Sequence, residues 1–459
     1  MVQSNLDIFK IGVGPSSSHT LGPLLAALSF TKELGDNLSA VKRVQCTLYG
    51  SLALTGRGHL TDRAVIWGLS GLKPRNLDKA AQQLAVHKAF IEHHLMLGGK
   101  YELHFDYRQD LIFCKEFLKE HENALRLCAY DAEQNLLLDK TYFSVGGGFI
   151  KSAEDFAAEA EHGDNDDDDF EDKFKIENTK VALRLCEDDD LSLAELSLRY
   201  EKQFRSEEEI RKYCGEIWQV MQEVYAAGLN PSDDYLPGSL HLKRRAKALA
   251  ETVSHEPSDD PLRILDQVSL YAISIAEENA AGARVVTAPT NGACAVIPAV
   301  MLYLKNNTPD FDDTKATDFL LAAMLIGSFY KNNASISGAE AGCQAEIGSA
   351  SSMAAAAMVT VLDGNPFKAC VAAEIAMEHH LGLTCDPVNG LVQIPCIERN
   401  VFGAIKAITA ARMALARRSI PRVGLDEVIE TMYVTGKDLS YKYKETALGG
   451  LAKLDLDRT

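Results

Sequence analysis

The stretch SGAEAGCQAEIGSASSMAAA, residues 337–356, decides the fold of the C-terminal half of the chain. Between positions 334 and 358, 17 of 25 residues are Ala, Gly or Ser. Side chains this small let helix backbones approach closely, so the composition predicts a tightly packed, buried helix. Glu340, Cys343, Gln344 and Glu346 interrupt the small residues, and buried polar groups need partners. The stretch therefore also indicates room beside the helix for a group that is not a side chain.

The segments around this stretch have the hydrophobic periodicity of helices as well. From about residue 186 onward almost no β-periodicity is found. Helices are predicted at residues 191–227, 261–284, 314–330, 338–362, 366–381 and 391–417. Residues 186–459 are accordingly predicted to form an all-α domain.

The first 150 residues have a different pattern. Strand-like runs at 41–50, 101–107, 125–132 and 136–145 alternate with helical segments at 21–34 and 61–71. This alternation predicts an α/β domain over residues 1–150 with a mixed or antiparallel sheet. The chain as a whole is predicted to be an α+β multidomain protein.

An acidic segment separates the two regions. Residues 151–180 contain twelve acids and four bases, and seven of the nine positions from 164 to 172 are acidic. Such a run resists burial and lacks the glycine and terminal glutamate spacing of a calcium loop. We interpret residues 151–185 as a solvated linker between the domains.

Composition excludes several classes of function. The formal charge is −18, with 65 acids against 47 bases, which argues against nucleic acid as a partner and favours a small ligand. Ten cysteines are too sparse for a disulfide scaffold, and the opening MVQSNLDIFK lacks the features of a signal peptide, so a cytoplasmic location is expected. The longest apolar runs are too short or are interrupted, which argues against a membrane span.

Three of the ten cysteines have unusual surroundings. Cys343 lies in SGAEAGCQAEIG, Cys385 in GLTCDPVNG and Cys396 in QIPCIERN. Their spacings of 42 and 11 residues match no zinc ribbon, but neighbouring Gly and Pro residues let thiolates point inward. Three such ligands suit an iron–sulfur cluster held at three corners, and the alternative is a set of buried, inert thiols. That alternative is preferred for the cysteines in ordinary strand or helix patterns, namely Cys46, Cys114, Cys128, Cys186 and Cys214.

Polar motifs in the first domain predict a second site. In GPSSSHT, residues 14–20, the hydroxyls of Ser16, Ser17, Ser18 and Thr20 precede a helix, whose N-terminus would bind a carboxylate. The alternative is a set of candidate helix caps of which one is used.

Three histidines are candidate bases. His19 belongs to the same motif, and His59 follows Gly56 and Gly58 on a backbone expected to be flexible enough to reach a ligand. His121 is the third, and a solvated histidine at the end of a helix is an equally good interpretation of it. In the second domain, TAPTNGAC at residues 287–294 places Thr290, Asn291 and Gly292 before a helix, where they could hold a polar ligand.

Taken together, these motifs resemble those of the single-chain, iron–sulfur-dependent bacterial L-serine dehydratases. GPSSSHT, YGSLALTGRGHLTD, SVGGGFI, TAPTNGA and the long small-residue stretch occur in order along nearly the whole chain. The resemblance implies an N-terminal α/β substrate-binding-type domain and a helical catalytic domain. It also implies a [4Fe–4S] cluster held by Cys343, Cys385 and Cys396 with one open iron. Some relatives end in a cysteine that can reach this iron, whereas the present sequence ends LDRT.

The resemblance further implies a reaction. L-Serine would lose its α-hydrogen to a histidine and its hydroxyl to the open iron acting as a Lewis acid, giving pyruvate and ammonia. His59 is the first choice for the base, followed by His19 and His121. The turn from Ser16 to Thr20, together with the Asn291 loop, would hold the carboxylate and amino groups, and a homodimer is expected.

Two alternatives remain open from sequence. A pyridoxal-phosphate-dependent dehydratase could use the glycines at 146–148 as a phosphate loop, but no lysine lies in a convincing setting for a Schiff base. A non-catalytic amino-acid sensor would bind its ligand in the first domain and would contain no iron.

Overall fold

The structure is a computed structural model that describes residues 3–162, 174–255, 257 and 259–454. The acidic run at 164–172 and the last five residues lie outside the described residues. In the described part of the chain, no helix combines the length and the apolar character needed to cross a membrane.

The N-terminal region alternates strands and helices, as predicted. Its strands are β1 (Lys10–Val13), β2 (Arg43–Tyr49), β3 (His94–Leu97), β4 (Tyr101–His104), β5 (Leu111–Cys114), β6 (Asn123–Tyr130), β7 (Leu136–Ser144) and β8 (Ile150–Ser152). Its helices are Gly22–Leu34, Gly50–Thr55, Thr61–Leu69, Lys79–Phe90, Tyr107–Asp110 and Ala153–His162.

Five of these strands form one mixed sheet in the order β5-β2-β6-β7-β8. β2 pairs in parallel with β5, and every other pairing in this sheet is antiparallel. Residues alternate between buried and partly exposed along β2, so Val44, Cys46 and Leu48 face the same core. The helices Gly22–Leu34 and Thr61–Leu69 cover that face, which gives the predicted two-layer α/β domain.

Within its described residues the C-terminal region is helical, as predicted, apart from one strand. Its helices are Thr179–Asp188, Leu193–Glu201, Glu207–Leu229, Ala246–His255, Arg263–Ala280, Val296–Asn307, Asp313–Asn333, Gly338–Ala341, Ile347–Val361, Pro366–Glu378, Cys396–Ala416 and Leu425–Asp438. The strand is β9 (Arg284–Thr287), which was not predicted.

Strand β9 joins the two regions. It pairs antiparallel with β1, so that Lys10 lies opposite Thr287 and Val13 lies opposite Arg284. The all-α description of residues 186–459 is therefore wrong at these four positions. Such a short run gives no readable periodicity, and its partner strand lies in the other region of the chain.

The described parts of the predicted linker include two helices. Ala153–His162 is a helix that follows β8, and Thr179–Asp188 is a helix whose Ala182 and Cys186 belong to the C-terminal core. The prediction of a solvated linker is therefore wrong for the second of these helices, because its apolar face is buried. The domain limits at 150 and 186 stay a prediction.

The small-residue stretch forms the centre of the helical region, as expected. In the helix Ile347–Val361 every residue except Thr360 is buried. The helix packs against Asp313–Asn333, Pro366–Glu378 and Cys396–Ala416. Close approach is necessary, because a Cβ atom on Gly403 would lie only 3.0 Å from side chains of Ile347 and Val296. Residues 343–346, directly before this helix, are thereby placed deep in the protein.

Buried hydroxyls in this core are paired across helices. Ser352 Oγ donates to the carbonyl oxygen of Ala373 at 2.9 Å and accepts from the Tyr330 hydroxyl at 2.7 Å. We expect Ser352→Ala to lower the free energy of unfolding by about 1–3 kcal/mol, because it leaves the buried Tyr330 hydroxyl without its hydrogen-bond partner. Ser269→Ala, which removes a local hydrogen bond to Leu265, should change it by less than about 0.5 kcal/mol. Urea unfolding of both variants tests this difference, and equal losses would contradict it.

Candidate active site

Three separate segments meet at one buried polar site between the two regions. The turn Ser17–Leu21 carries His19, the segment after the helix Gly50–Thr55 carries His59, and residues 441–447 insert Glu445. One ligand atom from each of these three side chains lies within 4.8 Å of the others. The turn precedes the helix Gly22–Leu34, and Ser16 caps it by accepting a hydrogen bond from the His19 N–H at 3.1 Å.

His59 presents an unpartnered ring nitrogen to this site. Its Nδ1 lies 3.1 Å from the carbonyl oxygen of Thr55, which can only accept, so Nδ1 carries the hydrogen and Nε2 keeps its lone pair. Nε2 lies 3.4 Å from Glu445 Oε1 and has no hydrogen-bond partner among the described residues. Burial, followed by the charge of His19, lowers the pKa of His59 to about 4, against an opposing effect of Glu445. His59 is therefore a neutral base with a free lone pair.

The backbone of His59 is fixed, in contrast to the predicted flexible loop. Residues Gly50–Thr55 form a helix where a glycine-rich loop was expected. The His59 N–H donates to the Thr55 carbonyl oxygen at 3.1 Å, and the His59 carbonyl accepts from Thr20 Oγ1 at 2.6 Å. These hydrogen bonds therefore fix the backbone of His59, which Gly56 and Gly58 alone would leave flexible.

His19 uses both of its ring nitrogens inside the protein. Ser51 Oγ donates to the backbone carbonyl of Glu445 at 2.9 Å, so it accepts from His19 Nε2, also at 2.9 Å. His19 Nδ1 is then left as the acceptor for Ser18 Oγ at 2.9 Å. Burial lowers the pKa of His19 to about 3. This residue is positioned as a support for the site rather than as a free base.

Glu445 was not found from the sequence, yet it lies at the centre of the site. It is only 5% exposed, and its backbone has the positive φ of 58° that non-glycine residues rarely adopt. Hydrogen bonds of 2.7 Å hold the segment, from the Cys385 N–H to the Tyr443 carbonyl and from the Glu445 N–H to the Cys385 carbonyl. Burial raises the pKa of Glu445, and His59 opposes this effect. The local sequence KYKETALGG is typical of a polar surface loop and gives no signal for this placement.

The other residues of the GPSSSHT motif are buried around the same carboxylate. Ser16 Oγ and Ser18 Oγ lie 3.5 and 3.4 Å from Glu445 oxygens, whereas Thr20 Oγ1 accepts from the Ser16 N–H at 3.1 Å. Ser17 is also buried, and its carbonyl accepts from the Gly22 N–H. Binding of a substrate carboxylate by this turn stays a prediction. A second carboxylate there would meet the like charge of Glu445.

The TAPTNGAC loop has a mainly structural arrangement. Asn291 Nδ2 donates to the Val13 carbonyl at 2.9 Å and to Asn279 Oδ1 at 3.0 Å, and Asn291 Oδ1 accepts from Thr287 at 2.7 Å. The side chain therefore ties β1 to β9 and has little capacity left for a ligand. Thr290 and Gly292 instead face Glu346, whose Oε1 would lie 2.8 Å from a Cβ atom at position 292.

His121 lies near this site without contacting the carboxylate. Its Nδ1 accepts from the Asn123 N–H at 3.0 Å, and its side chain is 13% exposed. Of the three candidate histidines, His59 is the one with an unpartnered, buried nitrogen.

The three cysteines singled out from the sequence converge beside Glu445. Cys343 follows Gly342, whose φ of 78° and contact with the Leu383 carbonyl exclude a side chain. Cys385 lies in the loop bridged to Lys444, and Cys396 begins the helix Cys396–Ala416, whose N-terminus favours a thiolate. Burial raises the pKa of Cys343 to about 11 and those of Cys385 and Cys396 well above the usual range. The Gln344 N–H donates to the Leu383 carbonyl oxygen at 3.3 Å, and Arg399, three residues after Cys396, donates to the Thr384 carbonyl, so hydrogen bonds bring the three cysteine-bearing segments together.

Two ionisable side chains, Arg399 and Glu346, lie beside these three cysteines. Arg399 donates through Nη1 to the Thr384 carbonyl at 2.6 Å. Burial lowers the pKa of Arg399, but the three cysteines have the opposite effect, and the net result is a raised pKa. Glu346 Oε2 lies 3.9 Å from Cys385 Sγ, and burial, followed by the charge of Glu445, raises the pKa of Glu346. Glu346 belongs to the stretch quoted first, whereas Arg399 was read only as part of the motif QIPCIERN.

The residues present fit an iron–sulfur cluster. All ten cysteines are free thiols, and the three that converge are buried or partly buried beside a guanidinium that offsets negative charge. Space is kept beside them by Gly338, where a Cβ atom would lie 3.3 Å from Cys385 Sγ and 2.6 Å from Glu346 Oε2. Burial disfavours the thiolate form of these cysteines, and a cationic iron nearby would offset that effect because it stabilises the thiolate.

Comparison with known proteins identifies the family to which the chain belongs. Residues 4–155 match the family described as serine dehydratase beta chain, and residues 188–452 match the serine dehydratase alpha chain. The L-serine dehydratase of Helicobacter pylori is 49% identical over 453 residues, 98% of each chain. L-Serine dehydratase TdcG of Escherichia coli is 48% identical over 459 residues, 98% of each chain, and the L-serine dehydratase of Streptomyces coelicolor is 47% identical over 455 residues, 98% of this chain and 99% of the relative. The chain therefore belongs to the serine dehydratase family of lyases and combines the alpha-chain and beta-chain regions of that family in one polypeptide.

Proposed function

We propose that the protein is an L-serine dehydratase that converts L-serine to pyruvate and ammonia. The observation that carries this proposal is the convergence of three distant cysteines beside a neutral, unpartnered histidine nitrogen. The full-length similarity to proteins named L-serine dehydratase supports the substrate.

His59 is proposed as the general base. Its Nε2 lone pair is free, and the Thr55 carbonyl fixes the tautomer that leaves it so. Serine loses its α-proton to this nitrogen, and the β-hydroxyl leaves as water once it has gained a proton. The aminoacrylate that remains tautomerises to an imine, and water hydrolyses the imine to pyruvate and ammonia.

Cys343, Cys385 and Cys396 are proposed to hold a [4Fe–4S] cluster. When bound, such a cluster supplies a Lewis-acidic iron that stabilises the charge developing on the leaving hydroxyl oxygen. Arg399 offsets the negative charge of the three thiolates, and Gly338 keeps side-chain atoms away from Cys385.

A single anaerobic assay tests the proposal. We expect protein reconstituted with iron and sulfide to release pyruvate and ammonia in equal amounts from L-serine, and protein without iron to release neither. Borohydride should not trap an imine between protein and cofactor, which separates this enzyme from one that depends on pyridoxal phosphate. Serine binding without pyruvate release by the reconstituted protein would instead indicate an amino-acid sensor.

The expected homodimer and cytoplasmic location stay predictions. The family resemblance supports both, and light scattering of the anaerobic holoenzyme measures the first. A mass near that of one 50.2 kDa chain would contradict it.

A further inference from the structure

We propose that Glu445 binds the α-ammonium group of the substrate and so selects amino acids over hydroxy acids. This inference rests on the proposed function above. It concerns the most central charged side chain of the site, to which neither the family resemblance nor the sequence motifs assign a role.

The Glu445 carboxylate lacks a close hydrogen-bond donor among the described residues. Both histidines lie 3.4 Å away, but the tautomers argued above turn the lone pairs of His19 Nδ1 and His59 Nε2 toward it. The single hydrogen of Ser18 Oγ goes to His19 Nδ1 at 2.9 Å rather than to Glu445 at 3.4 Å. Ser16 Oγ, at 3.5 Å, is the remaining donor. A buried carboxylate with such weak hydrogen bonds is strongly stabilised by a cation that binds to it.

The arrangement favours an ammonium group over a metal ion as that cation. Both ring nitrogens of His19 are already engaged, by Ser18 and Ser51. This leaves His59 Nε2 and the carboxylate as the only free metal ligands of the three-residue group, too few for the usual four or more contacts. An ammonium group needs only acceptors, and its three N–H groups match the carboxylate oxygens together with a serine hydroxyl.

Binding the amino group here also places the correct hydrogen at the base. In an amino acid the ammonium nitrogen and the hydrogen to be removed are bonded to the same carbon atom. His59 Nε2 lies 3.4 Å from Glu445 Oε1, so a nitrogen held by this carboxylate puts the α-carbon next to the base. The Glu445 N–H also donates to the Cys385 carbonyl oxygen at 2.7 Å, so this residue adjoins one of the proposed iron ligands. Glu445 thus lies beside both the proposed base and that ligand.

A small ligand can approach this point from the surface. A cavity of about 300 Å³ is lined by Ser51, Phe117, Glu340, Tyr441 and Thr446, among others. Ser51 contacts both His19 and the Glu445 backbone, so the floor of this cavity adjoins the buried site.

The test compares two ligands that differ only in the proposed contact. L-Alanine and L-lactate carry an ammonium and a hydroxyl group, respectively, on the α-carbon, and neither has the β-hydroxyl that would leave. Their dissociation constants are measured by anaerobic calorimetry on the wild-type holoenzyme and on Glu445→Gln, which keeps the side-chain shape but removes the charge. We expect Glu445→Gln to raise the dissociation constant of L-alanine at least about 10-fold and to change that of L-lactate by less than about threefold. KM for L-serine should rise in parallel, with the iron content unchanged.

Controls separate this role from others. Glu340→Gln, at the same cavity, should change neither constant, and Glu445→Asp should retain part of the preference for L-alanine. Three outcomes would each overturn the inference. The first is equally weakened binding of both ligands, and the second is a lower kcat with unchanged L-alanine binding. The third is a mononuclear metal that is present in the wild type and lost from Glu445→Gln. Pyruvate formation by the wild type is scored separately, so failure of the proposed function is recognised on its own.

Discussion

Replacing any one of Cys343, Cys385 or Cys396 by alanine should abolish cluster binding and, with it, catalysis. Three thiolates serve four irons in the proposed arrangement, so losing one leaves two irons without a protein ligand. We expect iron and sulfide to fall from about four per chain to below about one after anaerobic reconstitution. Metal and sulfide analysis measures this directly, without reference to activity.

The matched control for these variants is Cys214→Ala. Cys214 is fully buried on the helix Glu207–Leu229, within the apolar core and outside the three cysteine-bearing segments. Its loss should leave the iron content unchanged. Full iron and sulfide in any of the three cluster variants would remove that cysteine from the ligand set.

His59→Ala should keep the cluster but lower kcat by at least about 10²-fold, because it removes the base that takes the α-proton. Steady-state kinetics of the reconstituted variant, corrected for iron content, measures the loss. His121→Ala is the control and should retain most of the activity, since its ring lies outside the contacts of Glu445. A rise in KM with unchanged kcat in His59→Ala would make this residue a binding group and transfer the role of base elsewhere.

Much of the architecture was predictable because it depends on local composition. The helix Ile347–Val361 was predictable from its small residues. Strand β2 was predictable because the apolar residues Val44, Cys46 and Leu48 alternate with more polar ones. The three cysteines proposed as ligands were likewise singled out by their immediate neighbours. Four-residue β9 and the helix Gly50–Thr55 were not predicted, since tertiary contacts rather than local preference stabilise them.

The sequence by itself determined the two kinds of region, the set of candidate cysteines and the three candidate histidines, because residue type and spacing carry that information. Only the tertiary structure decided which histidine keeps a free nitrogen, since that depends on the carbonyl of Thr55 and on the hydroxyls of Ser18 and Ser51. It alone also placed Glu445, because a bridge between Cys385 and Lys444 carries a polar segment from the far end of the chain into the site. Hydrogen bonding and charge in a buried site depend on distances between segments remote in sequence, and no local pattern records those distances.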